Sequence, residues 1–158
     1  MSQPPASEPI CRFFVYGTLC RGQCRERCWP CPPLDITPAW TFGTLYDRHD
    51  YPAMRLGHDR VRGECWRFAP EQMNLVREVL DQVEGTDQPG TANLYDRVVV
   101  EVYSLASIDR AQATTADQLG TALAYHYAVQ PEQDGFQRIV PKKSLEVSWP
   151  IISADGVE

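Results

Sequence analysis

Only one stretch of this chain carries a convincing helical period. From Pro70 to Glu84 the apolar residues Met73, Val76, Leu80 and Val83 recur at three- and four-residue spacing, with Leu75 and Val79 widening the stripe. Pro70 in the first turn, Glu71 beside it and Gly85 just past the end suit the start of a helix and a left-handed stop. Elsewhere the pattern is that of short strands. Phe13–Tyr16, Trp40–Tyr46, Val61–Phe68, Val98–Tyr103 and Thr121–Val129 read as strands, and Leu145–Trp149 is a weaker candidate. In the first of the longer strands Trp40, Phe42 and Tyr46 fall on one side. In Thr121–Val129, Leu123, Tyr125 and Tyr127 share a face opposite Ala122, Ala124 and His126.

The helix places one residue unusually. At about 100° per residue Glu84 falls at the edge of the apolar stripe beside Met73, whereas Glu78 and Asp81 are expected to point away from it. Glu84 also occupies the last turn, where the negative end of the helix dipole disfavours a carboxylate anion. With partial burial its pKa should rise, as a general base working near neutral pH requires. The helix alone equally admits a frayed, solvated glutamate at a helix end.

The strand Phe13–Tyr16 runs into a tight loop at Gly17, and the small residues there leave backbone N–H groups free to face a ligand. The rest of the chain limits what that ligand can be. A formal charge of -6 lacks the basic footprint that nucleic acid or an anionic membrane needs, so a small molecule is the expected partner. At 158 residues one domain is expected, 12–150, between a loose polar tail at 1–11 and a C-terminal tail at 151–158. No apolar run approaches a membrane span and residues 1–9 do not look like a signal peptide, so a cytoplasmic location is expected. Oligomeric state is not legible.

Four of the six cysteines, Cys20, Cys24, Cys28 and Cys31, crowd into one proline-rich loop. The C-x3-C-x2-C spacing of Cys24, Cys28 and Cys31 imitates an iron–sulfur motif, but that chemistry needs a large barrel. Cys28-Trp29-Pro30-Cys31 imitates a redox motif, but Cys31 runs into Pro32-Pro33 instead of opening a helix. Reduced thiols in a loop remain the plain reading, with a zinc knuckle as the alternative. None of the three histidines, His49, His58 and His126, has a catalytic motif around it.

The ordered set Tyr16-Gly17-Thr18-Leu19 with Gly22, Gly43-Thr44-Leu45-Tyr46, Tyr51-Pro52-Ala53, Val61-Arg62-Gly63-Glu64, Leu80-Asp81-x-x-Glu84-Gly85, Tyr95-x-Arg97 and Ala124-Tyr125-x-Tyr127 resembles the γ-glutamylcyclotransferase-like family, across roughly residues 13 to 128. The resemblance implies an α+β fold, a small mixed β-barrel flanked by a few helices, with which the strand and helix inventory is compatible. It implies an enzyme that releases 5-oxoproline from a γ-glutamyl amine or peptide, without cofactor or metal. Glu84 would be the acid-base residue, Tyr16, Gly17, Thr18 and Leu19 would bind the γ-glutamyl group through backbone amides, and Tyr95 and Tyr125 would shape the pocket. Arg97 would be a carboxylate partner or a structural salt bridge. The cysteine-rich stretch departs from the family pattern, and leaving-group specificity is expected in the loops at 20–38 and 86–93. The competing class is a non-catalytic member of the same fold that binds a metabolite or a protein.

Overall fold

The computed structural model describes residues 9–142 and 145–149. Most of the expected N-terminal tail and all of the expected C-terminal tail therefore lie outside the described residues. Among the described residues seven strands form in chain order: β1 (Arg12–Val15), β2 (Asp35–Arg48), β3 (Tyr51–Arg67), β4 (Tyr95–Ser104), β5 (Gln118–Tyr127), β6 (Gln137–Arg138) and β7 (Glu146–Val147). The one α-helix among the described residues, α1 (Met73–Glu84), follows a 3-10 turn at Pro70–Gln72.

Five strands close on themselves. β2 pairs with β3 and β4, β4 with β5, β5 with β1, and β1 with β3, so the ring β2-β4-β5-β1-β3 has no free edge. β1 and β5 run parallel and the other ring pairs antiparallel, which makes the barrel mixed, as the family resemblance implies. β6 adds to β2 and β7 to β3.

Side-chain alternation builds two cores and one smaller cluster from this ring. All five strands send residues inward, among them Phe14, Tyr16, Ala39, Leu45, Met54, Val61, Val102, Ala122 and Ala124. A ring of five strands is narrow, and the alanines of β5 make room for Phe14 and Met54. The opposite faces of β1 and β5, with Phe13, Val15, Tyr125 and Tyr127, pack under Met73, Val76 and Leu80 of α1. β1 is therefore buried on both faces. Trp40 stacks on Tyr103 at 4.5 Å with Phe42 edge-on, and Tyr46 belongs instead to the helix-side core.

Three expectations change. The polar stretch Asp47–Asp59 does not interrupt the sheet, because β3 runs through it. Gly43 pairs with Asp59 and Thr44 with Arg55, so Leu56, Gly57 and His58 bulge from the ladder and carry the polar character outward. Leu75 is half exposed and does not widen the buried stripe. Asp81 turns inward. Two 3-10 turns, Leu105–Ser107 and Thr115–Asp117, lie between β4 and β5. No helix of the described residues is long and apolar enough to cross a membrane.

Candidate active site

Glu84 is the last residue of α1, and Gly85 ends the helix in the left-handed conformation at φ 65°. The Thr86 N–H then reaches back to the Asp81 carbonyl at 2.8 Å, and the Thr86 hydroxyl donates to the Tyr95 carbonyl at 2.7 Å. These bonds tie the end of the helix to β4. Glu84 consequently lines a cleft between α1 and the barrel. Burial pushes its carboxyl up to about 7, against the opposing pull of the Arg25 guanidinium. Among the described residues the carboxylate has no hydrogen-bond or ion-pair partner.

Across the cleft lies the loop leaving β1. The Cys20 N–H donates to the Gly17 carbonyl at 3.0 Å, closing a turn with Thr18 and Leu19 as its central residues. In such a turn the central N–H groups point outward. Among the described residues those of Thr18 and Leu19 donate to no acceptor, although both residues are buried. Buried backbone donors are rarely left unpaired, and these two residues line the same cleft as Glu84. Gly17 is required by space: a Cβ there would lie 2.4 Å from Cγ of Pro52.

Three tyrosines complete the walls. The Tyr16 hydroxyl donates to the Tyr125 carbonyl at 2.7 Å and the Tyr95 hydroxyl to the Pro52 carbonyl at 2.6 Å. The Tyr125 hydroxyl donates to Asp81 Oδ1 at 2.6 Å, and the other oxygen of Asp81 takes the Arg97 guanidinium. Burial, the largest cause in each, pushes all three phenols above their ordinary value, so they stay neutral.

The seven residues singled out from sequence, Glu84, Tyr16, Gly17, Thr18, Leu19, Tyr95 and Tyr125, thus line one cleft. Arg97 forms a salt bridge with Asp81, which fixes Tyr125. The helical angle placed Asp81 away from the core, but β4 and β5 bring Arg97 and Tyr125 to meet it. Arg25 and Tyr51 also line the cleft and were not singled out as site residues. Tyr51-Pro52 stood within a family motif, whereas Arg25 had no signal, being one of several arginines in an aperiodic loop.

That loop is organised by an aromatic anchor. Trp29, just after a 3-10 turn at Glu26–Cys28, stacks on Trp66 at 4.2 Å and 7° and donates its indole N–H to the Leu19 carbonyl at 2.9 Å. The Arg25 N–H donates to the Thr18 carbonyl at 2.8 Å. Among the described residues no three His, Cys, Asp or Glu side chains are grouped so as to hold a metal. His49 and His58 are exposed, and His126 is buried on the alanine face of β5, where burial pushes its imidazole down to about 4.

The model of the family described as gamma-glutamyl cyclotransferase, AIG2-like, matches residues 13–146. Among solved structures, an AIG2-like protein from Mus musculus matches at TM-score 0.53 and 21% identity, over 86% of this chain and 90% of that one. YkqA from Bacillus subtilis matches at TM-score 0.52 and 20% identity over 82% of this chain, which spans only 37% of YkqA. An Arabidopsis thaliana protein matches at TM-score 0.50 and 18% identity, over 84% of this chain and 72% of that one. At such identities these likenesses speak for the fold. No curated protein sequence matches. With one family model spanning 13–146, a closed mixed barrel, and the loop and helix-end glutamate facing each other across a cleft, the chain belongs to the AIG2-like gamma-glutamyl cyclotransferase family.

Proposed function

We propose that the protein is an enzyme releasing 5-oxoproline from γ-glutamyl compounds by intramolecular cyclisation. The observation that carries this reading is an unpartnered carboxylate, Glu84, held near neutrality opposite two unpaired backbone donors. Cyclisation needs both. The substrate's α-ammonium gives a proton to Glu84, and the freed amine attacks its own γ-carbonyl carbon. The oxygen that becomes negative is met by the N–H groups of Thr18 and Leu19. The bond to the departing nitrogen then breaks as Glu84 returns the proton to it. In total two protons pass from the α-nitrogen to the departing nitrogen, and water is neither consumed nor released. Tyr16, Tyr95 and Tyr125 fold the glutamyl chain into a ring-closing pose, and such positioning supplies much of the rate.

The test is formation of 5-oxoproline from a panel of γ-glutamyl amino acids, γ-glutamyl amines and glutathione. At least one should be turned over, with kcat/KM rising as pH passes about 7 and Glu84 loses its proton. Glu84→Gln keeps the shape and cannot carry the proton, so turnover should fall by roughly 10²- to 10⁴-fold. Equal turnover by this variant overturns the assignment, and no turnover by the wild type favours a binding protein of the same fold.

A further inference from the structure

In the cyclisation reading Glu84 and the Gly17–Cys20 turn serve the glutamyl half of a substrate, and Arg25 beside them has no substrate contact assigned to it. Among the described residues Arg25 is the only positively charged one lining the cleft. Among the described residues its guanidinium makes no hydrogen bond and no ion pair, and it stands 5.9 Å from the centroid of the Tyr51 ring. Arg48, on the same ring at 4.6 Å, is by contrast neutralised by Asp50 at 2.7 Å. An unpaired guanidinium beside a binding cleft is a site for an anion, and its planar fork suits a carboxylate bidentately.

The position of Arg25 is fixed by structure. Its own N–H is bonded to Thr18, and Trp29, four residues on, is clamped between Trp66 and the Leu19 carbonyl. Arg25 therefore moves with the turn that takes the γ-carbonyl oxygen. The geometry of cyclisation then decides which part of a substrate it meets. The α-amine must lie at Glu84 and the carbonyl oxygen at Thr18 and Leu19, so the closing ring fills the space walled by the buried Tyr16, Tyr95 and Tyr125. Tyr51 and Arg25 are only partly buried and flank the way out. What points toward them is the substituent on the departing nitrogen.

We infer that Arg25 selects γ-glutamyl compounds whose departing amine carries a carboxylate close to its nitrogen, as an α-amino acid does, over simple γ-glutamyl amines. This rests on the cyclisation reading above. It also gives the cysteine-rich stretch a function: that stretch departs from the family pattern because it frames the leaving-group end of the cleft.

γ-Glutamylalanine and γ-glutamylethylamine differ only by that carboxylate, and their ratio of kcat/KM is the measurement. A charge-assisted bidentate contact is worth roughly 10- to 100-fold, so the wild type should prefer γ-glutamylalanine by about that factor. In Arg25→Gln the ratio should collapse toward unity, and in Arg25→Lys it should fall to an intermediate value. Taking the ratio within each variant cancels whatever Arg25 does to Glu84 or to folding. Arg25→Lys keeps the charge and decides the matter if the glutamine variant does not fold. A wild type with no preference, a ratio unchanged in Arg25→Lys, or equal losses on both substrates in Arg25→Gln would overturn the inference while leaving cyclisation standing. Failure of the wild type on both compounds and on the whole panel would instead remove cyclisation itself.

Discussion

Replacing Glu84 with glutamine should make the protein more stable at alkaline pH, not less. The carboxyl is raised from 4.5 to about 7 by burial, so the folded protein holds a proton that the unfolded chain has already lost. The sign follows from linkage. Below pH 4.5 both states are protonated and the residue is neutral to stability. Between 4.5 and about 7 the unfolded state binds fewer protons, so stability falls as pH rises; above about 7 both are ionised and the loss is complete. At 1.36 kcal/mol for each tenfold in the proton equilibrium, that window is worth about 3 kcal/mol. Water reaching the partly open cleft makes this an upper value. For a chain of this length it corresponds to about 6–12 °C in Tm. Urea unfolding of wild type and Glu84→Gln at steps from pH 4.5 to 8.5 isolates the effect, since every other titrating group is common to both. The stability difference should grow in favour of the glutamine variant through the window and then flatten. A pH-independent difference, or one that grows in favour of the wild type, would mean that Glu84 is not held in a desolvated site, and its fitness as a base near neutrality would go with it.

Two further perturbations probe the cleft's construction. Gly17→Val drives a side chain into Pro52, whose Cγ lies 2.4 Å from the Cβ position, and should cost about 1–3 kcal/mol in urea unfolding. Thr18→Ser, which keeps the turn's backbone, should cost about 1 kcal/mol and retain turnover. Asp81→Asn breaks the pairing with Arg97 and weakens the contact with Tyr125, costing about 1–3 kcal/mol. Adding Tyr125→Phe in that background should cost less than in the wild type, a coupling that a double-mutant cycle reads directly.

How far the sequence reached depended on the kind of signal available. Glu84 was legible because a helical period fixes angle, and angle decides which carboxylate faces inward. The alanine face of β5 was legible because alternation fixes which side is crowded. Asp81 was misread by the same geometry: an angle reports distance from the apolar stripe and is blind to partners on other strands, here Tyr125 and Arg97. β3 was truncated because apolar alternation lapses at Leu56–His58, where the backbone continues through a bulge that composition does not mark. Arg25 was invisible, since its meaning comes from Trp29 docking on Trp66, an aromatic pair 37 positions apart that no local pattern announces.

β1 holds a place in assembly that its four residues conceal. β2 with β3, and β4 with β5, are neighbours in chain order, but β1 must join Arg12 to Arg67 on one side and Phe13 to Leu123 on the other. Such distant pairings carry most of the loop-closure entropy and set the pace of folding. The turn at Gly17–Cys20 is the direct continuation of this seam strand, so its donors are aimed only once the ring has shut. With the proposed activity, recovery of turnover on refolding is a clock for barrel closure, and a ligand seated in the cleft holds together both pairings of β1, of which Phe13 with Leu123 joins the most distant residues of the ring.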